Sequence, residues 1–468
     1  MAQSRRDFLR TSTCAIGGLA MASSLETFKA VQALTPQAAT DYRALVCVFL
    51  NGGNDGNNMF VDLNQYASYA AARGVDLSIP QGNFLPVSPV SGGSFGFHPN
   101  MPEMQALFNA GRAAVLCNNG PLVEPLTKTT YQNGTGKKPL QLFSHSDQVG
   151  LYQTAIANVV SQTGWGGRLA DKTGSLNGSA TFPNNVSIAG VNLFLTGVDT
   201  RQLAVADSNT SLANVLILNN APGATTAEIN SRLASFNELR TFDNDVKLVK
   251  ASSDIRSSSM QTDAALSSVT PTLTTVFPNT TLGRQLKQVA LFIKACTDPL
   301  AGINMKRQIF FTQLGGFDTH SAQIGGQGGL LQQVSQAINA FFNATVELGV
   351  QNKVTLFTMS DFSRTLQPSG SGPATVGSDH AWGNNQFIVG GDQVLGHTLY
   401  GTYPTLALGG PNDTDSGTSP RGRWIPTTSV EQYAATLATW YGLSSADLTA
   451  VFPLIGRFST PSLGFLAP

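Results

Sequence analysis

Charge is scarce in this sequence: only 12% of its 468 residues are Asp, Glu, Lys or Arg, and the formal net charge is zero. A nucleic-acid binder needs a basic field to follow a phosphate backbone, so that class is excluded. Cysteine is nearly absent, at four. Cys14 lies in the N-terminal leader, and the odd remainder of Cys47, Cys117 and Cys296 argues against a disulfide framework. Cys47 and Cys117 sit in apolar runs, where a thiol serves as a small buried hydrophobe. No apolar run reaches the roughly 20 residues that span a bilayer, so no stable membrane anchor is expected. Disorder is excluded in turn, because 41% of the residues are hydrophobic.

What is present begins with an address. Ser4-Arg5-Arg6-Asp7-Phe8-Leu9 sets two arginines before a hydrophobic step, a mildly apolar stretch runs from Cys14 to Leu25, and Val31-Gln32-Ala33 offers a small-residue cleavage site. Position, order and apolar stretch together read as a twin-arginine signal peptide over residues 1–33. The implied partner is the twin-arginine translocase, and the implied destination is the periplasm or the exterior. Cargo of this route often folds around a cofactor before export. About 430 residues remain after cleavage, an amount compatible with one large α/β domain or two smaller ones.

Strand and helix signals alternate along that remainder. Arg43 to Leu50 is a continuous apolar run that stops abruptly in Asn51-Gly52-Gly53-Asn54-Asp55-Gly56, the pattern of a buried parallel strand entering a tight loop. Ala113 to Cys117, Gln308 to Leu314, Val354 to Met359 and Gln386 to Val389 repeat it. Leu282, Leu286, Val289 and Ile293 form one helical stripe, and Leu330, Val334, Ile338 and Phe341 form another. Such alternation predicts a mostly parallel sheet flanked by helices. The polar stretch 200–281, helical around Ala227 to Val249, reads as an inserted cap between a first core part, 41–199, and a second, 282–468. Glu431 to Tyr441 reads as a terminal amphipathic helix.

Acidic residues cluster where parallel sheets place ligands, beyond the carboxyl ends of strands. Asp55 follows the first strand, Asp318 and His320 the third, Asp361 the fourth, and Asp379-His380 lies in the next loop. There are only five histidines in all. Asp318 and His320, two apart in an extended segment, point the same way. Adjacent Asp379 and His380 point apart, so that one can ligate while the other orients a neighbour. Each Asp taken alone reads rather as the cap of a following helix. Taken together, Asp55, Asp318, His320, Asp361 and His380 suggest a cation, because converging carboxylates and imidazoles need one to hold them.

The segments FLNGGNDGNN, GGFDTHSAQ, TMSDFSRT, GSDHAWGNNQFIVGG, YGTYPTL and GRWIPTTSVEQYAATLATWYGL occur in that order over residues 41 to 460. In this the chain resembles an uncharacterised bacterial family of twin-arginine-exported proteins placed in the alkaline phosphatase/sulfatase superfamily. The resemblance implies an alkaline phosphatase-like α/β fold. It also implies one or two divalent cations, of zinc, manganese or calcium, held by Asp55, Asp318, His320, Asp361 and His380. These would activate a nucleophile and clamp a phosphoryl or sulfuryl group. Two departures stand out: Phe362 follows Asp361 where the superfamily usually carries His, and the nucleophile is unassigned. Ser144, in Phe143-Ser144-His145-Ser146-Asp147 before a helical run, is the candidate nucleophile or else a helix cap. His145 is a third imidazole of the site or a partner behind it. Arg364 is placed to bind a tetrahedral anion by its fork or to pair with a loop carboxylate. Trp382, Asn384 and Asn385 are candidates for the pocket wall, while His98, His397 and Trp165 read as structural.

Two functions compete at this stage. One is an exported metal-dependent hydrolase acting on an anionic phosphate or sulfate ester. The other is a non-catalytic superfamily relative serving as a surface or polysaccharide-binding module for an extracellular polymer.

Overall fold

The apolar runs become strands whose two faces are both covered. The computed structural model describes residues 39–467 apart from 181, 213–224, 242–244, 246–249, 251–252, 254–259, 267–270, 299–302 and 373. The signal peptide expected over 1–33 lies outside the described residues, as do parts of the expected cap. Strand β1 (Arg43–Leu50) shows why its sequence is uniformly apolar. Ala44, Val46, Val48 and Leu50 enter one core cluster, while Leu45, Cys47 and Phe49 enter another on the opposite face.

The other strands are β2 (Phe60–Asp62), β3 (Leu85–Val87), β4 (Phe95–Phe97), β5 (Ala113–Gly120), β6 (Asn185–Ser187), β7 (Leu203–Ala204), β8 (Arg307–Leu314), β9 (Val354–Ser360), β10 (Asn384–Val389), β11 (Leu399–Gly401) and β12 (Thr428–Ser429). Among the described residues a nine-stranded sheet runs β11-β5-β10-β9-β1-β8-β6-β7, with β12 also paired to β5. Every pairing in it is parallel except those of β10, which lies antiparallel to both β5 and β9. A small antiparallel sheet, β2-β4-β3, stands apart. The expected mostly parallel sheet is therefore present.

Helices cover both faces. Thr281–Thr297 and Gln323–Glu347 bury the two stripes read from the sequence against one side of the sheet. Val430–Tyr441 lies on the other, opened by a capping box in which the Ser429 hydroxyl accepts from the Gln432 amide. Helix Thr226–Thr241 overlaps the stretch expected to be helical. The cap boundary needs one adjustment: β7, inside residues 200–281, pairs with β6 as an edge of the main sheet. Cys47, Cys117 and Cys296 are all buried free thiols.

Candidate functional site

Strands β1, β8 and β9 run in register and end together, so the loops carrying Asp55, Asp318 and Asp361 share one rim. Antiparallel β10 brings its amino end to the same rim, with Asp379 and His380 just ahead of it. The two loops are stitched by antiparallel backbone bonds, Ala381 N–H to the Ser363 carbonyl at 2.9 Å and Thr365 N–H to the Asp379 carbonyl at 2.9 Å. The helix His145–Thr154 contributes its first residue from across the rim.

Five side chains were expected to meet here, and they divide into two groups. Asp55 is fully buried and faces inward. Arg73 pairs with both of its oxygens at 2.7 Å, Gln323 donates to Oδ2, and the Asn57 amide donates to Oδ1 at 3.0 Å. That last bond caps the helix Gly56–Met59. Asp361 is likewise sealed. The amides of Gly52 and Gly53 each donate to its Oδ1 at 2.9 Å, and the His145 ring donates to its Oδ2 from Nδ1 at 2.7 Å. Both glycines adopt positive φ, 114° and 75°, and a Cβ on Gly52 would stand 2.5 Å from the Asp318 amide nitrogen. The loop thus turns two successive N–H groups onto one carboxylate at a place no side chain would fit.

Asp318, His320 and His380 do converge, and His145 joins them. The Nε2 atoms of His145, His320 and His380 lie 3.3, 3.1 and 3.6 Å from Oδ1 of Asp318. Nε2 of His320 is 3.0 Å from that of His380. His145, Asp318 and His380 each offer a donor atom within 4.8 Å of one another. Behind the rings, the Nδ1–H of His380 donates to the Phe143 carbonyl at 2.7 Å, and Nδ1 of His320 stands 3.4 Å from Oδ1 of Asp379. Phe143 holds φ at 71°, a left-handed conformation that costs on the order of 1–3 kcal/mol for such a residue. Phe362 packs its ring against His145 and His380, at 4.7 and 4.8 Å between centroids.

The electrostatics follow from these partners. The Asp361 hydrogen bond, backed by the charges of Asp361 and Asp318, raises the His145 imidazole above its ordinary value against the pull of burial. Burial and the neighbouring cationic groups hold His380 below its own. Burial pushes the Asp318 carboxyl up, but the Arg364 hydrogen bond and the charges of Arg364, His145 and His320 outweigh it and leave it lowered. Asp379 is lowered in the same way, with Arg421 prevailing over burial.

Fit to a cation can be judged from the ring nitrogens. A carbonyl only accepts, so Nδ1 carries the proton on His380, and the Asp361 contact favours the same tautomer for neutral His145; in the neutral rings each Nε2 then keeps a lone pair. Nε2 of His145 is buried and has no hydrogen-bond partner. Lone pairs directed at a carboxylate oxygen suit a divalent ion, and the backing of each ring by an acceptor is the usual support of a metal-binding histidine.

The remaining candidates are placed otherwise. Arg364 is buried, and its fork is taken up by the carbonyls of Gly52, Gly53, Phe317 and Ser378 and by Asp318. It is the ion-pair strut of the two alternatives, with its donors directed at the protein. Ser144 begins the His145–Thr154 helix without a side-chain cap bond; its hydroxyl donates to Asp147 at 2.5 Å. Trp382, Asn384 and Asn385 spend their polar groups on the chain's own carbonyls. They are buried, with the Trp382 indole donating to Pro121 and the two amides donating to the carbonyls of Asn54, Phe362 and Gly56. His98 is buried and depressed to about 4 by desolvation. His397 packs edge-on to Phe108, and Trp165 packs among Phe194, Phe357 and Phe452.

The fold and rim define an α/β protein with a largely parallel sheet and an imidazole-rich centre at one end of it. Residues 42–413 match the family described as "Protein of unknown function (DUF1501)", and the chain belongs to that family. No curated protein matches it. Among solved structures it is similar to a protein in the alkaline phosphatase superfamily from Vibrio parahaemolyticus, at 9% identity and TM-score 0.35, over 87% of this chain and 68% of that one. It is also similar to the lipoteichoic acid synthase LtaP from Listeria monocytogenes, at 7% identity and TM-score 0.36, over 90% and 79% of the two chains. A third likeness is to the PsFucS1 sulfatase from Pseudoalteromonas sp., at 8% identity and TM-score 0.33, over 91% and 71%.

Proposed function

We propose that the protein is an exported, metal-dependent hydrolase of phosphate or sulfate esters, delivered to the periplasm or exterior by the twin-arginine translocase. The observation that carries this reading is the convergence of three imidazole Nε2 atoms on the one Oδ1 of Asp318. Asp318, His320 and His380, with His145, would hold the cation, which when bound supplies Lewis-acid polarisation of an ester oxygen. Asp361, the Phe143 carbonyl and Asp379 orient the rings. Phe362 keeps water from one side of His145 and His380. Ser144 is the candidate nucleophile, since its hydroxyl proton already points to a carboxylate, that of Asp147.

The test is hydrolysis of a panel of phosphate and sulfate esters by full-length protein after chelation and after remetallation. Turnover that disappears and returns, and that Asp318→Ala abolishes, is the expected result. Absence of turnover in metal-replete protein overturns the reading. One observation favours the non-catalytic alternative: Asp55, expected to be a ligand, has its charge met by the chain's own Arg73. Retention on glycan arrays that survives Asp318→Ala would support that surface or polysaccharide-binding role.

A further inference from the structure

We infer that the centre is mononuclear and rich in nitrogen: it takes one zinc-class transition-metal ion on His145, His320, His380 and Asp318, with Asp361 positioning His145 and Arg73 standing permanently where a second cation would neutralise Asp55. This rests on the metal reading above and narrows it from an open choice of zinc, manganese or calcium to one class and one ion.

Three observations carry it. The first is donor chemistry. A hard cation such as calcium or magnesium prefers carboxylate and carbonyl oxygens, whereas imidazole suits zinc and its borderline neighbours. Three of the four converging donors are imidazole nitrogens. The second is the occupation of Asp361. Its Oδ1 accepts the Gly52 and Gly53 amides and its Oδ2 accepts the His145 ring, so the carboxylate acts through His145 rather than at the ion. That ring's other nitrogen is the buried Nε2 lacking a hydrogen-bond partner, 3.3 Å from Asp318. An imidazole backed by a carboxylate and facing a second carboxylate is a ligand awaiting an ion.

The third observation concerns Asp55. A dinuclear centre of the kind the resemblance implies would need this carboxylate free. Instead Arg73, itself fully buried, lies at 2.7 Å from both of its oxygens, and Gln323 and Asn57 take up further lone pairs. The guanidinium supplies the positive charge that a second ion would bring, and it is covalently part of the chain. Phe362, next to Asp361, has no donor to offer such an ion.

The test reads binding, not turnover. Chelator-treated full-length protein is titrated with zinc against a chromophoric competitor, metal content is counted by elemental analysis, and cobalt(II) is substituted for its visible ligand-field bands. The expected result is one zinc or cobalt per chain, no competition from millimolar calcium, and cobalt bands of a low-coordinate nitrogen-rich site. His145→Ala should weaken zinc binding and shift those bands. Asp361→Asn should weaken binding by roughly 10–100-fold, the range seen when a partner behind a ligand is removed. His145 is half-exposed, so its variant tests the idea even should Asp361→Asn fail to fold. Two ions per chain, preference for calcium, or unchanged zinc affinity and cobalt bands in His145→Ala would overturn the inference. A protein that binds one zinc yet turns over no ester would leave it standing and remove the hydrolase reading; ester hydrolysis with two ions or with calcium would do the reverse.

Discussion

Asp55 and Asp318 stand at one rim of one sheet, each a few residues past the end of a parallel strand, and their surroundings differ completely. The Asp55 side chain is 0% exposed and tied to an arginine that is also 0% exposed. Asp318 also meets a buried arginine, Arg364, yet it is 49% exposed and faces three imidazoles. A carboxylate sealed in with its guanidinium holds the fold together. One that keeps an open side toward three ring nitrogens can still take up something from outside. Position at a strand end therefore marks a candidate, and the access left to the carboxylate decides its task.

The sharpest way to break this contrast is to remove the private cation. Arg73→Met should destabilise the protein by about 3–5 kcal/mol, because Asp55 is left as an uncompensated buried charge. The measurement is urea unfolding, and Arg73→Met with Asp55→Leu should recover much of the loss, since an apolar pair of similar size replaces a buried ion pair at little cost. Failure of that recovery would mean Asp55 serves something other than Arg73.

The next effect is of the opposite kind. Asp318→Asn should change stability by no more than about 1 kcal/mol, because Asp318 is half-exposed, the amide oxygen can still accept from Arg364, and that buried guanidinium keeps its four backbone carbonyl partners. Its thermal midpoint should stay close to that of the parent while ester turnover and metal binding disappear. A large loss of stability would place Asp318 with Asp55 as a strut.

A third carboxylate sharpens the comparison by lacking both remedies. Glu431 is buried, its Oε1 accepts from the Leu454 amide, and its Oε2 has no hydrogen-bond partner. Burial lifts its carboxyl from the ordinary 4.5 to about 8, against the Leu454 amide and the charges of Arg168 and Arg457. A folded value above the unfolded one means that this group's contribution is complete below 4.5 and is lost as pH rises toward 8. Glu431→Gln should therefore flatten the fall in stability between pH 5 and pH 8.5, by roughly 3–4 kcal/mol at the upper end, in denaturation curves at the two pH values. An unchanged slope would show that Glu431 is ionised throughout.

Much of the frame could be read directly. The runs at Arg43, Gln308 and Val354 are uniformly apolar because the sheet is covered on both faces, and that coverage is what makes them conspicuous. The short strands β2, β3, β11 and β12, of two or three residues, leave no such trace. For the centre, the alternation argument for Asp318 with His320 and for Asp379 against His380 matches the geometry: one of the last pair faces Asp318 and the other backs His320. What spacing could not reveal is which arginine each carboxylate meets and which carboxylate is sealed in with it. Arg73 lies in the helix Tyr66–Leu77 with no local mark to distinguish it from a surface residue. The Phe143 carbonyl is invisible for the same reason, being a backbone group aimed by a tertiary constraint. His145 was in view only as a choice, because its partner Asp361 lies 216 residues away.

The order of strands has a consequence for how this chain comes into being. Neither β1 nor β5 pairs with the other; β1 pairs with β8 and β9, and β5 with β10, β11 and β12, all beyond residue 306. A nascent chain leaving the ribosome thus presents two apolar ribbons with no hydrogen-bonding mates until well over half of it has been made. Closing such long loops is slow. Synthesis of the last third sets the moment at which the main sheet can close.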